Sequence, residues 1–323
     1  MRRVFFNVIN SWLKLKFSDV GGVLLFHLIR KLEKKSGLKR RVVVEKLQRF
    51  HNVFSALDEV TFCRWVNGTT TPSFYKQLLL ISFFSFPMLE FMKMMDYKTV
   101  TTRQISAYKK ILNMIDNPYH RMSYAPIPID TATLSYLHLG IDKHWELLGG
   151  FYQNIAYASD FSFARYINKF DLDTHVFTIS IKGSILSHTS CIFNASYFFE
   201  KVNFGVKKVS DRSAFINVSY YVNSDFLEAL LGNMLAHIQK NRPDIDNVYI
   251  AFRGVGFLTF LEELGGYLIW KNKRHSSIGD LYLIKIEWAQ FLSNPIIFNI
   301  LKKQLVNYEL LSMLGEIDFN FSR

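Results

Sequence analysis

The chain has 323 residues, 39 Lys and Arg against 27 Asp and Glu for a formal net charge of +12, and a composition that is 49% hydrophobic and 16% aromatic. Its length points to two domains, and its apolar content excludes an intrinsically disordered chain. Two cysteines, Cys63 and Cys191, are too few for a disulfide framework or a cysteine-rich zinc site, which fits a reducing, cytoplasmic setting.

The positive charge is concentrated at the start. Residues 1–50 carry 13 basic and 3 acidic side chains, residues 51–100 carry 4 of each, and the remainder carries 22 against 20. A one-signed patch of this kind points to a polyanionic partner. The opening MRRVFFNVINSWLKLKF places Lys14 and Lys16 where a leader peptide needs an apolar core, so it is not read as a targeting segment. As a short basic amphipathic helix it remains a minor candidate for anionic lipid.

Helical spacing then runs in short blocks. Leu24 to Lys35 sets Leu24, Leu25, Leu28, Ile29 and Leu32 on one face, and Ser36-Gly37 supplies a stop. Leu38 to Phe50 comes next, with Val43, Val44 and Leu47 as its stripe, although the β-branched run at 42–44 lowers helix propensity. Asp58 can cap a helix ending at Asn67-Gly68, and Ser73 can cap another over Phe74 to Phe84. The most apolar stretch, Leu78 to Phe91, contains Ser82, Ser85, Pro87 and Glu90 and falls short of the roughly 18 apolar residues of a membrane span. It reads as a buried helix ending near Pro87.

Residues 61–82, TFCRWVNGTTTPSFYKQLLLIS, carry a specific resemblance. They resemble the recognition helix, polar loop and fourth helix of the Cro/repressor-like helix-turn-helix family, with Thr61, Phe62, Arg64, Trp65, Asn67, Gly68, Pro72, Ser73, Leu78, Leu79 and Ile81 in register. Cys63 replaces a Ser and Val66 a Glu, and the segment Gln48 to Leu57 is longer than the family's tight turn. The likeness implies double-stranded DNA as partner. Phe62, Trp65 and Val66 would pack inward while Glu59, Val60, Cys63 and Arg64 share the outer face. Arg64 would grip a guanine edge or a phosphate, Val60 or Thr61 would meet a thymine methyl, and Glu59 would accept from cytosine. Lys39, Arg40, Arg41, Asn67 and Thr69 would contact phosphate.

Beyond residue 95 the texture changes. One helix is expected near Thr102 to Ile115, within a connecting region over 96–130. Helices are then expected over His144 to Ala156 and Ser159 to Lys169. A hairpin comes next over His175 to Phe193, turning at Lys182-Gly183-Ser184, then a strand Ala214 to Val222 and a helix Phe226 to Lys240. Strand Asn247 to Phe252, helix Gly256 to Leu264 and strands Tyr267 to Lys271 and Asp280 to Glu287 complete the series. None of the nine histidines shows metal-ligand spacing within one helix, and His188 and Cys191, three apart on a strand, face opposite sides.

This order resembles the GNAT family of acetyltransferases, which implies an acyl-CoA site where the strand Ala214–Val222 splays from its neighbour. Tyr220, Tyr221 and Val222 would line that splay. In the family an Arg/Gln-x-x-Gly-x-Gly/Ala loop then gives backbone N–H groups to the pyrophosphate at a helix N-terminus. In VNSDFLEALLGNM, Leu227 and Leu230 replace two members of that loop and only Gly232 survives. Gly254 stands for the family's Asn, and Leu261 for the Tyr that acts as its general acid, while Phe260, Glu262, Leu264 and Gly265 fit. Acyl transfer to an amine needs a held thioester and a proton donor for the thiolate, so the losses favour a silent domain used for ligand sensing or dimerisation.

The expectation is a multi-domain α plus α/β chain. An all-helical helix-turn-helix domain occupies 1–95, a connecting region 96–130, and an acetyltransferase-like mixed β-sheet flanked by helices 131–323. The function read from it is a sequence-specific DNA-binding transcriptional regulator, homodimeric and nucleoid-associated in a bacterial cytoplasm, with an unknown small-molecule or acyl ligand. The alternative is an acyl-CoA-dependent N-acyltransferase carrying a DNA-binding domain. No catalytic residue, no metal and no cofactor besides acyl-CoA is expected.

Overall fold

Side-chain caps set the early boundaries as the sequence predicts. In a computed structural model, which describes residues 21–117, 132–153, 155, 172–201, 206, 209–272 and 280–319, Asp58 Oδ1 accepts from Thr61 N at 2.6 Å and opens a helix over Glu59–Val66. Ser73 opens the next, Phe74–Phe83. With the preceding Gly21–Ser36 and Arg40–Phe50, these are α1 to α4 in the order Gly21–Ser36, Arg40–Phe50, Glu59–Val66 and Phe74–Phe83. The Val run does not prevent α2, because Val43, Val44 and Leu47 bury their shared face, and tertiary packing outweighs a small propensity deficit.

The long segment before α3 is filled by a 3₁₀ turn, Asn52–Phe54. His51 Nδ1 accepts from Val53 N, Phe54 is fully buried, and Gln48 Nε2 donates to Leu57 O at 2.8 Å. The buried helix expected to end near Pro87 does so, since α4 stops at Phe83, and a further helix, α5 (Met88–Met94), follows after residues 84–87. Pro87 has no N–H to continue the ladder.

By packing, the chain divides into two compact units, Met1–Phe86 with Glu90–Asp96, and Pro87–Leu89 with Tyr97–Arg323. Helix α6 (Thr102–Asp116), opened by a reciprocal capping box of Thr101 and Gln104, packs within the second unit. The expected connecting region therefore contains a helix of that unit's own body.

The second unit is a mixed α/β fold. Its strands are β1 (Ala132–Leu139), β2 (Thr174–Ile181), β3 (Ser184–Ile192), β4 (Ser213–Ile216), β5 (Asn247–Arg253), β6 (Tyr267–Lys271), β7 (Leu281–Glu287) and β8 (Glu316–Phe319). They form one sheet in the order β6-β7-β5-β4-β3-β2-β1-β8, parallel at β4/β5 and antiparallel at the other pairs. The predicted hairpin turns at Lys182-Gly183, both at positive φ (49° and 80°), as a two-residue loop that matches strand twist requires.

Helices α7 (Ile141–Tyr152) and α9 (Ser224–Asn241) cover opposite faces. Ser190 on β3 bonds Tyr152 of α7, whereas its neighbour Thr189 meets Met234 of α9, and successive strand residues point to opposite sides. The α7 face gathers Leu148, Tyr152, Val176, Phe198, Phe215, Tyr249 and Leu283 into one apolar cluster. Helix α8 (Ala195–Lys201) supplies Phe198, and α10 (Val255–Glu263) comes after β5. After β7 come α11 (Trp288–Ser293) and α12 (Pro295–Leu314). Strands β1 and β8 and helices α8, α11 and α12 were not anticipated, and the expected helix Ser159–Lys169 lies outside the described residues.

Candidate functional site

In the first unit the recognition-helix expectation can be compared side chain by side chain. Phe62 and Val66 are fully buried, and Trp65 packs edge-on against Phe54 and Phe62 with Lys76 Nζ 5.8 Å from its ring centre. The opposite face of α3 is open: Glu59 and Arg64 are exposed, Val60 is 62% exposed, and Thr61 and Cys63 are half-buried. Asn67 and Thr69 are exposed just beyond. There the backbone turns through Gly68 at φ 72°, and Thr69 N and Thr70 N both donate to Arg64 O. A Cβ at Gly68 would stand 2.9 Å from the Phe26 ring, so the loop is pinned against α1.

The three expected phosphate contacts at the start of α2 separate. Lys39 is exposed, and Arg41 is exposed with a surface pair to Glu45 at 3.2 Å. Arg40 is turned to structural use. Its Nε donates to Glu33 at 2.6 Å and its Nη1 to Cys63 Sγ at 3.4 Å, tying α2 to α1 and α3. The Glu33 hydrogen bond, with that to Cys63 second, raises the guanidinium pKa further, and this side chain braces α2 against α1 and α3.

In the second unit the expected splay is present. β4 and β5 pair in parallel only from Ser213↔Asn247 to Ile216↔Ile250. Beyond Ile216 the chain bulges, with Asn217 N donating to Ser190 O and Val218 N to Asn217 Oδ1. It rejoins β3 where Tyr220 and His188 exchange two 3.0 Å backbone bonds. Meanwhile β5 stays with β7 out to Arg253↔Leu281. Tyr220, Tyr221 and Val222 are half-buried at this divergence, and Val222 N donates to Ser187 Oγ. Burial raises the Tyr221 phenol pKa.

The start of α9, just past the splay, differs from an anion cradle. It is capped by Asn223, and the N–H of Ser224 donates to Asp116 Oδ1, a carboxylate brought by α6, at 2.8 Å. One turn on, Tyr108 of α6 donates to Glu228 at 3.0 Å and stacks on Phe260 of α10. Ile111 and Met114 lie against Gly256. Helix α6 thus lies across the starts of α9 and α10, and Asp116, Asp225 and Glu228 surround the helix terminus. Asp225 is pushed up by burial and by its two acidic neighbours, against the pull of Lys303. A helix N-terminus attracts an anion, and here the chain supplies its own.

Gly232 is not part of a cradle either. It sits mid-helix in α9, where a Cβ would meet Gln304 Cγ at 2.5 Å and the Ile300 carbonyl at 2.9 Å. It is the point of close approach between α9 and α12, which accounts for a glycine at this position by packing alone.

Two polar clusters were missed in the sequence. His144 and His188 are buried on the α7 face. His144 Nε2 lies 3.3 Å from Ser190 Oγ, and His188 packs edge-on to Phe151. Burial pushes the two rings down to about 4 and about 3. On the α9 face, the β1/β2 register sets His138 opposite His175, with Asp173 beside them. His188 and Cys191 do face opposite sides. Cys191 is fully buried, and its thiol is pushed up by that burial.

No helix among the described residues is long and apolar enough to cross a membrane. No family model matches the sequence, and no curated protein matches it. Among solved structures, the chain is similar to an uncharacterised protein from Bacillus halodurans (13% identity, 55% of this chain and 96% of that one, TM-score 0.33). It is similar also to the CoA-dependent acyl-homoserine lactone synthase MesI (12%, 51% and 94%, 0.30) and to a chimera of the spermidine N-acetyltransferase SpeG from Vibrio cholerae (12%, 49% and 98%, 0.31).

Proposed function

We propose that the chain is a sequence-specific duplex-DNA-binding regulator that reads DNA with the outer face of α3 and carries an acetyltransferase-like second unit as a sensing or dimerisation module. The observation that carries this reading is the division of α3. Phe62, Trp65 and Val66 hold it in the unit's core, while Glu59, Val60 and Arg64 stand outward on a helix short enough to enter a major groove. Lys39 and Arg41 with Asn67 and Thr69 supply the phosphate contacts that set its register. Gel-shift titration of genomic fragments tests it. A preferred fragment is expected, bound more weakly as salt rises, and Arg64→Ala should lose ~10- to 100-fold in affinity for it. Equal binding of all fragments, unchanged by Arg64→Ala, would sink the proposal.

The second reading, acyl-CoA-dependent N-acyl transfer, is favoured by the order of the sheet and the parting of β4 from β5. Against it stand the three carboxylates at the α9 terminus, which would face the pyrophosphate. Calorimetric titration with acetyl-CoA and longer acyl-CoAs separates the two. Saturable heat supports transfer, and its absence leaves the second unit a ligand-sensing or assembly module.

A further inference from the structure

Away from α3 and the β4/β5 splay, the most convergent set of side chains lies at one end of β1 and β2. Antiparallel pairing sets His138 directly opposite His175, and their rings stack with centres 4.6 Å apart and planes 2° from parallel. Both Nε2 atoms converge on one oxygen, Asp173 Oδ1, at 2.7 Å from His138 and 3.0 Å from His175. The carboxylate is placed by its own backbone: Asn194 Oδ1 accepts from Asp173 N, and Phe193 N donates to Asp173 O. The His175 side chain is only 7% exposed, and its Nε2, although close to Asp173, is buried without a hydrogen-bond partner. Such an atom costs free energy unless something else occupies it.

We propose that His138, Asp173 and His175 bind one divalent transition-metal ion of the zinc class. Zinc bonds of about 2.0–2.2 Å to nitrogen and oxygen, opened at roughly tetrahedral angles, separate donor atoms by a little over 3 Å. The three donors here all lie within 4.8 Å of one another, so small side-chain adjustments complete the geometry. Two imidazoles and one carboxylate suit zinc and its first-row neighbours, while magnesium and calcium require oxygen ligands. His138 is 61% exposed, which leaves the remaining coordination positions to water.

Ligand histidines are ordinarily oriented through the other ring nitrogen, and that support is present. His175 Nδ1 lies 2.9 Å from Tyr136 Oη and 3.0 Å from His237 Nε2. His237 Nδ1 in turn lies 3.3 Å from Tyr308 Oη of α12 and 3.2 Å from Asn241 Nδ2. The buried ligand is held by a chain of polar groups, and the exposed one leaves the site open to solvent.

Equilibrium dialysis of the chelator-treated full chain against Zn²⁺, with Mg²⁺ as control, tests the proposal. One Zn²⁺ per chain is expected, with at least tenfold weaker binding in His138→Ala and in Asp173→Asn. Both substitutions are at partly exposed positions, so circular dichroism should show the native fold retained. Replacement by Co²⁺ should give visible absorption that His138→Ala abolishes. Failure to retain zinc, retention undiminished by the two substitutions, or equal retention of Mg²⁺ would overturn it.

Discussion

His144 and His188 show at the residue scale how burial becomes pH dependence. The folded state holds the rings down at about 4 and about 3, whereas an exposed ring takes up its proton near 6.5. Above about 6.5 both states are neutral at these positions and the fold has its full stability. As the pH falls below that, the unfolded chain gains protons that the folded one refuses, and stability drops by about 1.4 kcal/mol per pH unit for each ring. Urea titrations at pH 7 and pH 5 should show a lower midpoint at pH 5, and His144→Gln should remove about half of the dependence due to this pair. Gly232 gives a second prediction. Alanine there would gain helix propensity of about 1 kcal/mol, but its Cβ would press on the Ile300 carbonyl, which cannot rotate away. Net destabilisation of about 1–2 kcal/mol is expected from overpacking, read as a fall in the denaturant midpoint.

Among the elements, α6 was expected only as a helix of a connecting region, whereas it delivers Asp116 to the first N–H of α9 and Tyr108 to Glu228. Asp116→Ala should cost about 1–2 kcal/mol in thermal stability by leaving that N–H without its acceptor. Asp116→Asn, which keeps an acceptor oxygen, should cost less. Such an arrangement was not legible in the sequence, since nothing in TRQISAYKKILNMID names the helix it lies against. The legible features are local. Asp58, Ser73 and Lys182-Gly183 mark their boundaries because a cap or a positive φ is decided within a few residues. The α3 faces were legible for the same reason. The brace made by Arg40 was not legible because its partners, Glu33 and Cys63, lie on other helices, 7 and 23 residues away. The histidine pair was missed because proximity of His138 and His175 depends on strand register, and β1 was not recognised. The short Asp173-x-His175 spacing beside a strand was the available signal. Helix α12 buries one stripe, Ile300, Leu301, Gln304, Leu305, Tyr308 and Leu311, but its outer face carries the exposed apolar residues Val306, Leu310, Met313 and Leu314, which blur the period in the sequence.

For the whole molecule, each compact unit has its own core, with Phe54, Phe62 and Leu80 in the first and Phe177, Phe215 and Phe298 in the second. Calorimetry should resolve two unfolding transitions, and under the proposed function a preferred DNA fragment should raise only the one belonging to the first unit. The outer edge of the sheet has a further consequence. β8, residues 316–319, hydrogen-bonds to β1, residues 132–135, across 180 intervening positions. Loop closure over that distance is slow, and a ribosome making the chain at about 5–20 residues per second finishes β1 roughly ten seconds or more before its neighbour exists. During that interval β1 has one unpaired edge, which leaves the nascent second unit open to edge-to-edge association until β8 forms.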